Sequence, residues 1–82
     1  MSELDRIQRD VERELERVRS LEELEDIRVR VLGEKGELTI LLQSFENLSP
    51  EERDVLGSKA SELRRFLEEA IRSREDEILG RN

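Results

Sequence analysis

Residues Ser49 to Gly80 constrain this chain most. Leu48-Ser49-Pro50-Glu51-Glu52 is a strong helix start: Ser49 caps, Pro50 takes the first helical position and Glu52 completes a capping box. The next strong stop is Gly80, so the spacing predicts one helix over 50–79, 30 residues long, or roughly 45 Å at 1.5 Å per residue. Gly57 is its internal weak point. Leu56, Ala60, Leu63, Leu67, Ala70 and Arg74 alternate by four and three, as in a coiled-coil seam, and Phe66, Ile71 and Ile78 broaden it. A helix this long with so narrow an apolar stripe cannot stand alone. Its partners must come from the first 48 residues.

Those residues read as three further helices. Leu4, Ile7, Val11, Leu15 and Val18, spaced 3, 4, 4 and 3, predict a helix over about 2–19. Ser20-Leu21-Glu22-Glu23 is a capping box opening a second helix over 21–32, with Leu21, Leu24, Ile27 and Val31 as its stripe. Gly33 is expected to end it in the left-handed conformation. A short third helix over 38–45 buries Leu38, Leu41, Leu42 and Phe45. The expected fold is all-α, one domain over 1–82. It is an antiparallel helical hairpin or coiled-coil arm, the first helix against the long one, with the two short helices packed at one end. Arg65/Glu69, Glu68/Arg72 and Arg72/Asp76 are opposite charges four apart on the exposed side. Leu79-Gly80-Arg81-Asn82 reads as a frayed tail or a cut end.

Composition removes most chemistry. The chain has no Cys, His, Trp or Tyr. Disulfides, thiolate and imidazole metal sites, and cysteine or histidine nucleophiles are excluded. No Asp-rich loop has EF-hand spacing. Glu22/Glu23, Glu51/Glu52 and Glu68/Glu69 are adjacent in sequence and diverge on a helix, so no paired-carboxylate acid/base site is expected. Asn47-Leu48-Ser49 matches a glycosylation triplet in letters only. No apolar run approaches the ~20 residues of a membrane span, and Met1-Ser2-Glu3-Leu4-Asp5 is not the start of a signal peptide. The default compartment is the cytoplasm. An enzyme is disfavoured for want of nucleophile–base pairs, metal clusters and a core that encloses a pocket.

Gly33-Glu34-Lys35-Gly36 interrupts a sequence otherwise built for helix. It lacks the G-x-x-x-x-G-K-[ST] spacing of a nucleotide-binding loop and no strand precedes it. It reads as a helix–helix corner using glycine for positive φ, with Lys35 at a tip that can meet a polyanion. The net charge of −7 argues against nonspecific nucleic-acid binding but leaves room for a local contact. Arg28, Arg30, Arg53, Lys59, Arg64 and Arg65 are candidates for such a face, against the alternative of a salt-bridged solvated surface. Without interleaved aromatics, any RNA contact is to the backbone or shape of a folded molecule.

Taken together, Leu21-Glu22-Glu23-Leu24, Ile27 to Leu42 and Leu48-Ser49-Pro50-Glu51-Glu52-Arg53 resemble the N-terminal domain of the bacterial-type phenylalanyl-tRNA synthetase alpha chain. That family carries L-G-K-K-G-x-[IL]-T, a short helix, and L-[SP]-P-E-E-R opening a long helix. The order and spacing of these motifs are more specific than the glycine loop alone. Two departures stand out. Glu34 occupies the place of the family's first loop lysine, and Glu51, Glu52 and Asp54 surround Arg53 where the family's helix is often basic.

The resemblance implies an antiparallel coiled-coil arm that reaches the outer, elbow side of the cognate phenylalanine tRNA. It also implies an alpha–beta heterodimer doubled to a tetramer. The catalytic module, with its ATP, magnesium and phenylalanine sites, lies beyond this domain, so no cofactor and no aminoacylation are expected of these 82 residues. On this reading Arg28, Arg30, Lys35, Arg53, Lys59 and Arg64 are the expected tRNA backbone contacts. The rival expectation is a free-standing interaction module or self-associating coiled coil without RNA.

Overall fold

The computed structural model describes residues 2–80. The tail expected at Arg81 and Asn82 lies outside them, as does Met1. The fold is all-α. Helix α1 spans Glu3–Arg17, α2 Leu21–Leu32, α3 Glu37–Ser44 and α4 Pro50–Leu79, with a 3₁₀ turn at Phe45–Asn47 before α4. The arm measures 45 × 21 × 20 Å, and its radius of gyration is 13.8 Å against about 12 Å for a compact domain of this length. The elongation follows from α4, which is as long as the molecule.

The starts follow the sequence closely. Ser2 caps α1 in a reciprocal box with Asp5, and the hydroxyls of Ser20 and Ser49 accept the N–H groups of Glu23 and Glu52. The ends differ more. Helix α1 stops at Arg17, two residues short of expectation, because Val18 turns extended (ψ 134°) and drops its side chain into the core at 3% exposure. Helix α3 stops at Ser44, and Phe45 is buried from the 3₁₀ turn instead. The chain must then extend at Ser49 (ψ 157°), as the residue before a proline prefers.

The direction of α1 corrects the expected arrangement. Near its start, Leu4 shares a groove with Lys59, Leu63 and Phe66 of α4. Just past its end, the Val18 carbonyl meets Arg74. Helices α1 and α4 therefore run the same way. Helix α2 runs back along α1, with Arg30 bonded to Glu14 at 2.7 Å and Glu23 beside Arg17 and Val18. The antiparallel partner of α4 is thus α2, continued by α3, and α1 is a third helix laid beside that hairpin. The physical reason is a count of corners. The chain reverses once at Ser20 and once between Gly33 and Ser49, and two reversals restore the original direction.

The three stripes meet in one core. Ile7 and Val11 of α1, Leu24 of α2, Leu38 of α3, and Leu67 and Ile71 of α4 are its most completely buried large side chains. Among the described residues no polar or charged residue is buried. Arg74, though placed in the seam by its spacing, is only half-buried: its aliphatic stem covers the core while its guanidinium reaches the end of α1. At the other end Arg6 of α1 bonds Glu37, the first residue of α3.

Candidate nucleic-acid interface

The glycine loop is built by close approach and not by positive φ. Gly33 has φ −66° and ψ 175°, and Gly36 has φ −71° and ψ 162°, so the left-handed cap expected at Gly33 is absent. Both positions are nonetheless closed to side chains. A Cβ on Gly33 would lie 2.4 Å from the Val29 carbonyl oxygen, and one on Gly36 would lie 2.5 Å from that of Val31. The left-handed glycine is Gly80 (φ 71°), which ends α4.

Hydrogen bonds then lock the loop. Gly33 N–H donates to Val29 at 3.1 Å, and the Gly33 carbonyl accepts from Gly36 N–H at 2.9 Å and from the Thr39 hydroxyl at 2.7 Å. The glycine N–H groups are spent on carbonyls, so the glycines form a corner and not a phosphate cradle. Glu34 and Lys35 stand exposed at its tip. Lys35 makes no ion pair among the described residues.

The six sequence-predicted basic residues do not form one patch. Arg28 and Arg64 come together in a groove between α2 and α4, where Arg65 and Arg72 join them over a floor of Leu32 and Ile71. Arg53 lies eleven residues before Arg64, about 20° away around the same helix. Arg30 points to the opposite flank of α2 and is bonded to Glu14 of α1. Lys59 sits across α4, beside Phe66 and Ser2.

Charge distinguishes the α2–α4 groove from its neighbours. It carries four arginines against Glu68, Glu69 and Glu75. The groove on the outside of α1 has two arginines against Asp5, Glu12 and Glu16. The one between α1 and α2 has two against Glu14, Glu23 and Asp26, and the one at Lys59 has a single lysine against Asp5 and Glu62. Of these four, the α2–α4 groove alone is net positive, in a chain that is acidic overall.

Comparison with known proteins places the chain. A family model described as the class II aminoacyl-tRNA synthetase N-terminal domain matches residues 19–81. The chain belongs to that family. Among curated relatives, the phenylalanine–tRNA ligase alpha subunit of Acetivibrio thermocellus is 44% identical over 94% of this chain and 23% of its own length. That of Desulfitobacterium hafniense is 45% identical over 93% and 22%. That of Pelotomaculum thermopropionicum is 53% identical over 67% and 16%. The chain thus spans less than a quarter of these relatives. No solved structure matches it significantly.

The synthetase-family match covers α2, α3 and α4 in full and leaves α1 outside. The α2–α4 groove therefore lies wholly within the family module. Arg72 was hidden from sequence reasoning because it reads as one half of an i,i+4 pair. In the structure Glu68 bonds Arg64 at 3.2 Å instead, and none of the three expected pairs forms. The usable signal was the spacing of Arg65 and Arg72, seven residues and nearly two turns apart on one side of α4. Among the described residues no helix is long and apolar enough to cross a membrane. Among the described residues no acidic cluster is placed to hold a metal ion.

Proposed function

We propose that this chain is the tRNA-contacting arm of a phenylalanyl-tRNA synthetase alpha subunit, acting in the cytoplasm and not catalytic by itself. The net-positive groove between α2 and α4 carries the reading. An acidic protein that grips a polyanion must concentrate its cations locally, because phosphate contacts supply most of the affinity and depend on salt. Of the residues expected from sequence, Arg28 and Arg64 are the ones that reach RNA from this groove, beside Arg65 and Arg72. Arg53 extends the line along α4, and Lys35 marks the loop end. Arg30 and Lys59 lie on other flanks and meet RNA only where a strand wraps the arm. The partners on this reading are phenylalanine tRNA, the remainder of the alpha chain and the beta chain.

A filter-binding titration of folded phenylalanine tRNA at two salt concentrations tests it. Binding at low salt that weakens steeply at higher salt is the expected result, with a slope of roughly 0.7–0.9 for each phosphate neutralised. Unmeasurable affinity at low salt would leave the isolated arm without this role.

Self-association is the rival. Val29, Ile40 and Val55, one on each of α2, α3 and α4, are more than half exposed and are the residues a second copy would cover. Sedimentation equilibrium separates the two: a monomer independent of concentration supports the RNA reading.

A further inference from the structure

Arg65 and Arg72 share the groove with two carboxylates that occupy the interval between them. Glu68 is three residues after Arg65 and four before Arg72, and Glu69 is four after and three before. On a helix these are the neighbouring positions. Glu68 bonds Arg64 at 3.2 Å, and across the groove Glu25 holds Arg28 at 3.8 Å. Arg65 and Arg72 make no ion pair or side-chain hydrogen bond among the described residues. The groove thus presents two free cations with two negative charges set between them.

We propose that Arg65 and Arg72 are the principal phosphate-contacting pair of the arm and that Glu68 and Glu69 hold its affinity down. This rests on the RNA reading given above and adds how that site is tuned. A phosphate strand bridging the two arginines, about 10.5 Å apart along the helix axis, passes over both carboxylates. Glu68 also occupies Arg64, so each phosphate at that position competes with an intramolecular anion. The ligand is the sugar–phosphate backbone of a folded RNA, because two cations on one helical face read charge and spacing but no base edge. An arm tuned in this way holds RNA weakly enough to release it.

The test is fluorescence anisotropy with a labelled, folded phenylalanine tRNA transcript and the full chain, at two salt concentrations. Four proteins are compared: the unaltered chain, Arg65→Gln/Arg72→Gln, Glu68→Gln/Glu69→Gln, and Glu12→Gln/Glu16→Gln. The last makes the same change in net charge on the outer face of α1. Circular dichroism melts confirm that all four are folded.

Expected are a loss on the order of tenfold for the arginine pair and a gain on the order of tenfold for the Glu68/Glu69 pair at low salt. The salt slope should be steeper for the latter by roughly 0.7–0.9 for each arginine released. The α1 control should shift affinity by less than about threefold. Equal tightening by both glutamate pairs would overturn the proposal, since net charge alone then accounts for it. So would binding that ignores the groove variants, which leaves the RNA arm standing with its contacts elsewhere. Absence of binding by all four proteins removes the RNA reading and this proposal together.

Discussion

The guanidinium of Arg74 donates through Nη2 to the main-chain carbonyl of Val18 at 2.7 Å, across 56 residues of sequence. It joins the middle of the last turns of α4 to the point where α1 ends. A helix C-terminus carries unsatisfied carbonyls and partial negative charge, and Arg74 supplies a donor and a positive charge together. Nη1 meanwhile bonds Glu77 at 2.6 Å, which holds the side chain in place, while Nε is left buried without a partner.

Arg74→Leu is expected to destabilise the fold by about 1–2 kcal/mol, since it strands the Val18 carbonyl but also removes the unpaired Nε. Urea unfolding followed by circular dichroism measures the change. Arg74→Lys keeps the charge but loses the planar fork, and should fall between the two. A variant as stable as the unaltered chain would mean that water satisfies Val18 equally well.

The three central glycines separate two meanings of the same residue. Gly33→Ala and Gly36→Ala each force a Cβ to within 2.4–2.5 Å of a backbone oxygen, which cannot swing away as a side chain can. Each should cost about 2 kcal/mol or more. Gly57 lies inside α4 with nothing within 4 Å of an added Cβ, so Gly57→Ala should stabilise by about 0.5–1 kcal/mol. Thermal melts of the three variants in parallel check both signs at once.

Thr39→Val tests the lock on that loop. The substitution keeps the shape but removes the 2.7 Å bond to the Gly33 carbonyl. A loss of about 1 kcal/mol is expected, and amide hydrogen exchange at Gly36 should quicken because the same carbonyl holds its N–H.

These sites show what the linear sequence reveals and what it withholds. The starts of α2 and α4 were legible because the capping serine and the glutamate that fix each of them, with Pro50 between them in α4, lie within four residues of one another. The core residues Ile7, Val11, Leu24 and Leu67 were legible from period alone. The direction of α1 was not read from its stripe, since a stripe has no polarity: Leu4 and Leu15 fit α4 in either sense. The clasp that fixes it, Arg74 to Val18, is a long-range bond to a backbone atom. The role of Gly33 was legible as a break but not as a mechanism, because positive φ and close approach both ask for glycine. In the groove, Arg28 and Arg64 were found by charge, whereas Arg72 was obscured by carboxylates at salt-bridge spacing that the fold leaves unpaired with it.

Packing at two adjacent positions of α4 gives a sharp contrast. Leu67 is fully buried and Phe66 is 42% exposed. Leu67→Ala should cost about 2–5 kcal/mol through lost burial and the cavity left behind. A domain of this size holds only about 4–12 kcal/mol in total, so that variant should be partly unfolded near body temperature. Phe66→Ala removes the larger side chain yet should cost about 1 kcal/mol or less. Urea midpoints for the two settle the order, and a larger loss at Phe66 would show that it covers a surface this packing does not account for.

Acid should weaken the ion pair between Arg6 and Glu3 in the first turn of α1. The Arg6 guanidinium bonds Glu3 and Glu37. Its hydrogen bond and charge hold the Glu3 carboxyl below the usual 4.5, while those same carboxylates push Arg6 further up. A carboxyl depressed in the folded state binds fewer protons there than in the unfolded chain near that pH. Its contribution is therefore present above the unfolded value and is lost as pH falls through the folded one. Arg6→Gln removes it. The melting temperature of the variant should lie below that of the unaltered chain at neutral pH, and the gap should close as the pH falls through and below the ordinary glutamate value of 4.5. High salt should narrow the gap at neutral pH as well, because all three side chains are exposed. A gap that stays constant through the acid range would show that Arg6 acts through its aliphatic stem and not through these carboxylates.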